Sequence, residues 1–262
     1  MVCDAVIRGT ARGGRHIAVT IAETQAPQLW IWRIDMDAPY PQGLLAPAEL
    51  ARAARFVRPA DRAAHAAAHA GLRAILGACL GLPPSTLVFD AAAMGKPFLA
   101  VPDGSGLHFN LSHSKGLAAL GMARFPLGVD VEAMRRIDDG LAATVFSPME
   151  LEELAALPSD LRQAGFFRGW TRKEAFVKAL GSGLSAPLDR FTVSLSPDAP
   201  ARLRDIDWAP GEAAAWQITH VSIGHTHVGA VAAHRRGWRL DLAPPEALRQ
   251  LGLAPSPGEI SL

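Results

Sequence analysis

The order of hydrophobic and polar positions along the chain predicts a fold in which strands and helices are mixed. Short apolar runs rich in β-prone residues predict strands, and apolar residues that recur every three or four positions predict helices. The predicted strands lie at 29–35, 86–90, 107–111, 117–123, 129–132, 191–195, 216–223 and 228–233. The predicted helices lie at 47–58, 62–80, 147–158 and 160–180. This pattern indicates an α+β fold.

Local signals mark the ends of these helices. Asp61 can cap the helix that follows it, and Gly81 stands where a left-handed residue commonly ends a helix. Ser147 is followed by a proline and, three residues after the cap, by Glu150, which fits a capping box. Residues 112–116 are expected to form the turn between two strands.

A faint duplication runs through the chain, because each half has a long helix that ends at a glycine and is followed by a strand. The stretch FPLG at 125–128 is a candidate hinge between the halves. We therefore expect two similar α/β subdomains, at 29–125 and 126–240. Residues 1–28 are expected to form a weakly ordered N-terminal tail, and the proline-rich 241–262 a peripheral C-terminal tail.

Composition narrows the class of protein. The 262 residues carry 26 Lys and Arg against 25 Asp and Glu, a net charge of +1 that argues against a broad nucleic-acid-binding surface. A hydrophobic fraction of 49% excludes a wholly disordered chain. Cys3 and Cys79 give no disulfide framework, and no apolar run approaches the ~20 residues that span a bilayer. We expect a soluble cytoplasmic protein without a membrane partner.

The stretch GVDVE at 128–132 is the most informative for chemistry. Alternate residues of a strand face the same side, so Asp130 and Glu132 are expected to point together. Two carboxylates this close repel each other unless a cation lies between them, and Mg²⁺ prefers such oxygen ligands. The alternative is an edge strand with a solvated acidic face, and spacing alone leaves both open.

A second stretch, WTRKEAFVK at 170–178, places Glu174 and Lys178 four residues apart on one helix face. Considered alone, this spacing favours an exposed ion pair worth about 0.2–0.5 kcal/mol. The functional alternative makes Glu174 a metal ligand or a base and puts Lys178 near a phosphate.

Two further segments carry polar side chains at turns. In HFNLSHS at 108–114, His113 can donate to an anionic oxygen, although Ser and Asn are also common in turns. In GKP at 95–97, a lysine is held between two residues typical of turns, and its alternative is an ordinary exposed loop lysine.

Taken together, these motifs resemble the Sfp-type 4′-phosphopantetheinyl transferases. The resemblance runs from about residue 29 to residue 235, and its most specific part is the pair G-[VI]-D-[VI]-E and W-x-x-K-E-[AS], about 40 residues apart. The motifs that carry it are GKP at 95–97, FNLSHS at 109–114, GVDVE at 128–132, FS at 146–147 and WTRKEA at 170–175.

The resemblance implies a reaction. Members of this family move the 4′-phosphopantetheine arm of coenzyme A onto a serine of an apo acyl or peptidyl carrier protein, leave adenosine 3′,5′-bisphosphate and need Mg²⁺. It also implies a pseudo-dimer of two similar α/β subdomains, with the active site in the cleft between them. A chain that holds both halves is expected to be a monomer.

Site roles follow from the same resemblance. Asp130, Glu132 and Glu174 match the metal-binding acids, and Glu174 also matches the base for the carrier serine. Lys178 and His113 match residues near the pyrophosphate.

The remaining coenzyme A contacts are less firmly matched. Lys96 and Ser112 match positions that contact coenzyme A. Arg52 lies where the family often has a basic residue for the 3′-phosphate. An ungapped alignment puts Ala64 in place of an arginine and His65 in place of a threonine, so Arg62 is a candidate replacement for that arginine.

Some alternatives stay open at this point. A metal-dependent nuclease or phosphodiesterase could use the same carboxylates, and a non-catalytic carrier-binding homologue could keep the fold. The complete set of acids and lysines disfavours the second. Glu150 matches an acidic position linked to the metal site, but the capping box is the favoured interpretation. The identity of the carrier protein is left open.

Overall fold

The computed structural model describes residues 28–41, 43–138, 140–181 and 186–255, together with the backbone of the short strands at 5–6, 20–21 and 260–261. The strands are β1 Ala5–Val6, β2 Thr20–Ile21, β3 Gln28–Asp35, β4 Val88–Ala91, β5 Pro97–Val101, β6 His108–Ser114, β7 Leu117–Ala123, β8 Gly128–Ala133, β9 Phe191–Val193, β10 Leu203–Ile206, β11 Gln217–Ile223, β12 His227–Ala233, β13 Arg239–Leu242 and β14 Ile260–Ser261. The helices are α1 Pro47–Ala54, α2 Pro59–Leu80, α3 Leu141–Val145, α4 Pro148–Ala156, α5 Arg162–Leu180 and α6 Pro245–Gln250. The predicted α+β class is confirmed.

The described residues fall into two compact units. One lies within 1–90, 97–124 and 239–257, and the other within 91–96, 125–238 and 258–262. The turn between β4 and β5 therefore belongs to the second unit, and the chain returns to the first unit at β13.

The first unit is built on a four-stranded sheet in the order β13-β3-β7-β6. β3 pairs antiparallel with β7 and parallel with β13, and β6 forms an edge. The long helix α2 packs against β3 so closely that a Cβ at Gly71 would lie 2.6 Å from Cδ1 of Ile34. Large apolar side chains such as Trp32 and Leu76 are fully buried between these elements.

Helix α2 begins earlier than predicted. Pro59 opens its first turn after Arg58, so Asp61 lies inside the helix and does not cap it. Proline is suited to the first helical position, because the N–H that it lacks would have no partner in the helix there. At the other end, Gly81 adopts the left-handed conformation, with φ +67°, as predicted.

The second unit contains a four-stranded antiparallel sheet in the order β14-β11-β12-β8. Helix α5 packs against β8 and β12. Its buried aromatic side chains, Phe166, Phe167 and Phe176, lie in a core that also contains Phe146 and Phe191. This packing fixes β8 and α5, which carry the three candidate metal-binding acids and Lys178, against each other.

The C-terminal segment differs from the prediction of a peripheral tail. After β13, Pro245 opens the short helix α6, and Ala247, Leu248 and Leu253 are buried in the core of the first unit. These residues supply enough apolar surface to hold the segment against the unit, which the high proline content obscured. Most of the tail predicted at 1–28 lies outside the described residues.

Candidate functional site

The approach of β8 to α5 depends on Gly128. A Cβ at this position would lie 2.0 Å from the Ala175 carbonyl oxygen and 2.3 Å from the Ala179 amide nitrogen, far inside contact distance. Because these are backbone atoms of α5, no side-chain movement could make room. Alternation along β8 puts Asp130 and Glu132 on this same face, towards the helix that carries Glu174 and Lys178.

Asp130 and Lys178 form an ion pair across this packing. Lys178 Nζ lies 2.6 Å from Asp130 Oδ1. The Asp130 side chain is only 5% exposed, so the alternative of a solvated acidic face is wrong at this position. Lys178 is therefore not confined to an exposed pair on its own helix, because its ammonium also reaches the buried carboxylate of the neighbouring strand.

Glu174 is half-buried one turn before Lys178, and its surroundings act on its charge. Burial raises the pKa of Glu174, the Lys178 ammonium lowers it, and the carboxylate of Glu132 raises it again; the net direction is upward. Glu132 is itself partly exposed and lies 3.2 Å from Arg135 Nη1. A carboxylate with a raised pKa is a better proton acceptor than an ordinary glutamate.

Asp130, Glu132 and Glu174 are the candidate ligands of a metal site. In the ranges that the structure describes, no three His, Cys, Asp or Glu side chains are arranged to hold a metal ion as they stand. The donor chemistry nevertheless fits Mg²⁺, because Asp130, Glu132 and Glu174 offer only carboxylate oxygens. The repulsion between Glu132 and Glu174 is of the kind that a divalent cation relieves.

Lys96 is not an ordinary exposed loop lysine, because its ammonium binds two backbone carbonyls. Its ammonium donates to the Leu127 carbonyl at 2.8 Å and to the Lys178 carbonyl at 2.7 Å. Burial lowers the pKa of Lys96 to about 8. Two of its three N–H donors are therefore used by backbone oxygens of the second unit.

Ser112 and His113 lie in the first unit on β6. The predicted turn at 112–116 is shorter than expected, because β6 continues to Ser114 and only Lys115 and Gly116 turn, with φ +36° and +81°. Positive φ at both central residues is typical of the tight hairpin turn that matches strand twist. His113 is exposed and Ser112 is 6% exposed, so the two adjacent side chains lie on opposite faces of an edge strand.

The arginines predicted for the nucleotide lie on two helices of the first unit. Arg52 is exposed on α1, and Arg62 is exposed on α2 with Nη2 donating to the Phe56 carbonyl at 3.2 Å. Burial, followed by the charges of His69, Arg52 and His113, lowers the pKa of His65 to about 4, and Glu49 opposes this shift. Arg52 and His113 thus act on one buried imidazole, whereas Arg62 does not contribute to this effect.

A polar cluster that was not predicted surrounds that imidazole. His65 is 7% exposed, its ring centroid lies 4.2 Å from that of His69, and His69 Nδ1 lies 3.3 Å from Glu49 Oε1. Glu49 also accepts from Arg73 Nε at 2.5 Å. The four-residue spacing of His65, His69 and Arg73 is the signal that could have revealed this face.

Glu150 has a structural role in the second unit. Its carboxylate accepts from the Ser147 amide at 2.7 Å, which with the Ser147 side chain completes the predicted capping box, and from the Val193 amide at 2.7 Å. It also pairs with Lys173 Nζ at 2.7 Å, and both side chains are at most 1% exposed. The ion pair with Lys173 was not predicted, although Lys173 stands inside the motif WTRKEA.

Comparison with known proteins places the chain in a family. Residues 126–233 match the model of the 4′-phosphopantetheinyl transferase superfamily. The 4′-phosphopantetheinyl transferase HetI of Nostoc sp. is 39% identical over 222 residues, which cover 81% of this chain and 90% of that relative. The chain therefore belongs to the 4′-phosphopantetheinyl transferase superfamily.

Two other relatives match less than half of this chain. The 4′-phosphopantetheinyl transferase psf-1 of Bacillus pumilus is 38% identical over 47% of this chain and 52% of its own length. The transferase Sfp of Bacillus subtilis is 37% identical over 44% of this chain and 50% of its own length. Within the described ranges, none of the helices combines the length and hydropathy that a bilayer crossing needs.

Proposed function

We propose that this protein transfers the 4′-phosphopantetheine arm of coenzyme A to a serine of an apo acyl or peptidyl carrier protein. The observation that carries the proposal is the placement of Asp130, Glu132, Glu174 and Lys178 on the facing elements β8 and α5, in a chain of this family. The serine oxygen forms a bond to the phosphorus that bears the pantetheine. The pyrophosphate P–O bond breaks, and adenosine 3′,5′-bisphosphate leaves.

Asp130, Glu132 and Glu174 are the residues that would hold Mg²⁺. When bound, the ion neutralises charge on the phosphate oxygens. Asp130 already pairs with Lys178, so in the free protein the ammonium lies where positive charge is needed. This pairing keeps the buried carboxylate compensated before substrate binds.

Glu174 is the proposed proton acceptor for the carrier serine. Its raised pKa supports this role, because a proton acceptor works best when its pKa lies closer to the pH of the reaction. Lys178 would bind the diphosphate and hold the leaving oxygen. A carboxylate base and an ammonium four residues apart on one helix provide both charges that the reaction needs.

Residues of the first unit would bind the nucleotide end of coenzyme A. His113 is exposed on β6 and can donate to a phosphate, and Arg52 supplies a permanent positive charge. Ser112 is proposed as a further contact and Arg62 as an auxiliary one, although Arg62 is directed to the Phe56 carbonyl in the free protein. We further propose that the enzyme works as a monomer in the cytoplasm.

The proposal is tested by incubation with coenzyme A, Mg²⁺ and a panel of apo fatty-acid, polyketide and nonribosomal-peptide carrier proteins. Intact mass spectrometry is expected to show the phosphopantetheine arm on at least one carrier, dependent on both coenzyme A and Mg²⁺. Failure to modify every carrier in the panel would contradict it. Cleavage of nucleic acid in the absence of a carrier would favour the rival phosphodiesterase.

A further inference from the structure

Lys96 belongs to a turn whose shape is fixed by its own backbone. The Gly95 amide donates to the Ala92 carbonyl at 2.7 Å, and the Ala92 amide donates to the Lys96 carbonyl at 2.9 Å. Gly95 has φ +82°, a left-handed conformation that glycine adopts without strain. The turn therefore presents the Lys96 side chain from a well-defined backbone position.

One of the two acceptors of the Lys96 ammonium lies at the end of α5. The last four carbonyls of a helix have no amide partner within the helix. The Gly181 amide satisfies that of Val177, and Lys96 Nζ satisfies that of Lys178 at 2.7 Å. A positive charge at this end also complements the helix dipole.

The other acceptor lies at the start of β8. Leu127 is fully buried, and its carbonyl accepts from Lys96 Nζ at 2.8 Å. The next residue is Gly128, which makes the close backbone approach to α5. One ammonium thus joins the residue immediately before β8 to the last turn of α5.

These bonds hold Lys178 from two sides. Its carbonyl is bound by Lys96, and its ammonium is bound by Asp130 at 2.6 Å. We propose that Lys96 is a positioning residue that acts through Lys178, by clamping the end of α5 to the start of β8, and does not contact coenzyme A itself. This inference rests on the proposed function only for its kinetic test.

The arrangement disfavours a direct phosphate contact by Lys96. Two of its three donors already serve backbone oxygens. Burial also lowers the pKa of Lys96 to about 8, so Lys96 loses its positive charge at a lower pH than a solvated lysine does. A buried carbonyl that loses its donor is destabilising, which ties the ammonium to these oxygens.

The first experiment does not depend on activity. Hydrogen exchange of the backbone amides at 177–181 is compared between the wild type, Lys96→Met, Lys96→Arg and a control, Lys115→Met, which removes an exposed lysine from a turn. We expect at least tenfold faster exchange in Lys96→Met, exchange close to the wild type in Lys96→Arg, and no change in Lys115→Met. Unchanged exchange in Lys96→Met would overturn the clamp.

The second experiment is a double-mutant cycle on kcat/KM for coenzyme A with Lys96→Met and Lys178→Met. If Lys96 acts through Lys178, each single variant loses at least tenfold and the double variant matches Lys178→Met within about threefold, because neighbours that act as one unit are not additive. Losses that multiply would show an independent coenzyme A contact and overturn the inference. If the wild type modifies no carrier, the proposed function fails, and the exchange data alone decide the clamp.

Discussion

The two units hold their candidate residues in different ways. In the second unit, charged side chains of α5 form ion pairs with neighbouring elements: Lys178 pairs with Asp130 on β8, and Lys173 pairs with Glu150 on α4. In the first unit, Arg52 and His113 are exposed, and the buried groups nearby are the imidazole of His65 and its neighbours. The candidate acids and lysine of the second unit are thus held by an ion pair and close packing, whereas Arg52 and His113 of the first unit are exposed.

The largest effect is expected at Glu174. Glu174→Gln removes both a metal ligand charge and the proton acceptor, and general-base catalysis is typically worth about 10²–10⁴-fold. Glu132→Gln removes only a ligand charge and keeps an oxygen. Turnover measured against Mg²⁺ concentration should recover partly in Glu132→Gln and not in Glu174→Gln.

A matched control for this pair is Glu152→Gln, which changes an exposed helix glutamate of the same unit. It is expected to leave the Mg²⁺ profile unchanged. Equal recovery of Glu132→Gln and Glu174→Gln would mean that Glu174 is a ligand only.

The second comparison concerns buried charge. Lys173→Met leaves the Glu150 carboxylate uncompensated in a fully buried position, which typically costs about 3–5 kcal/mol. In the first unit, Arg73→Met leaves Glu49, whose side chain is 13% exposed and can be reached by water, so about 1–3 kcal/mol is expected. Denaturant unfolding measures both, and a larger loss for Arg73→Met would reverse the comparison.

Close packing of helix on strand gives a third test. Gly128→Ala forces a methyl group against the backbone of α5, whereas the three atoms nearest to a Cβ at Gly71 all belong to the Ile34 side chain, which can adjust more easily than backbone. Overpacking typically costs about 1–3 kcal/mol, so we expect Gly128→Ala at or above the upper end and Gly71→Ala near the lower end. Equal losses in the unfolding free energy would show that α5 moves as easily as a side chain.

The last prediction concerns the pH dependence of stability. The pKa of His65 is lowered from 6.5 to about 4 in the folded protein, so the unfolded chain binds more protons between these values. Its contribution to stability is present above pH 6.5 and is lost as the pH falls towards about 4. Glu49, Arg52, His69 and His113 all act on this group.

The measurement is the unfolding free energy of wild type and His65→Gln across pH 4–7. The variant should lose part of the rise with pH, while His225→Gln, at an exposed position of the second unit, should keep it. A slope that is the same in wild type and His65→Gln would rule out His65 as the source.

Sequence reasoning predicted local geometry correctly where it depends on residues close together in the chain. The capping box at Ser147 and Glu150, the left-handed Gly81 and the shared face of Asp130 and Glu132 depend on residues two to four positions apart or on one backbone conformation. The length of the turn predicted at 112–116 was overestimated, because serine and asparagine are common both in turns and on edge strands.

The amino-acid sequence by itself determined the α+β class, the ends of α4 and α5 to within two residues, and the residues of the motifs. The tertiary structure decided which partner each charge takes. Lys178 pairs with Asp130, 48 residues away, and Lys96 binds the Lys178 carbonyl, 82 residues away. Periodicity and capping act within a few residues, whereas these partners are set by which helix packs on which strand, and Gly128 is what permits that packing.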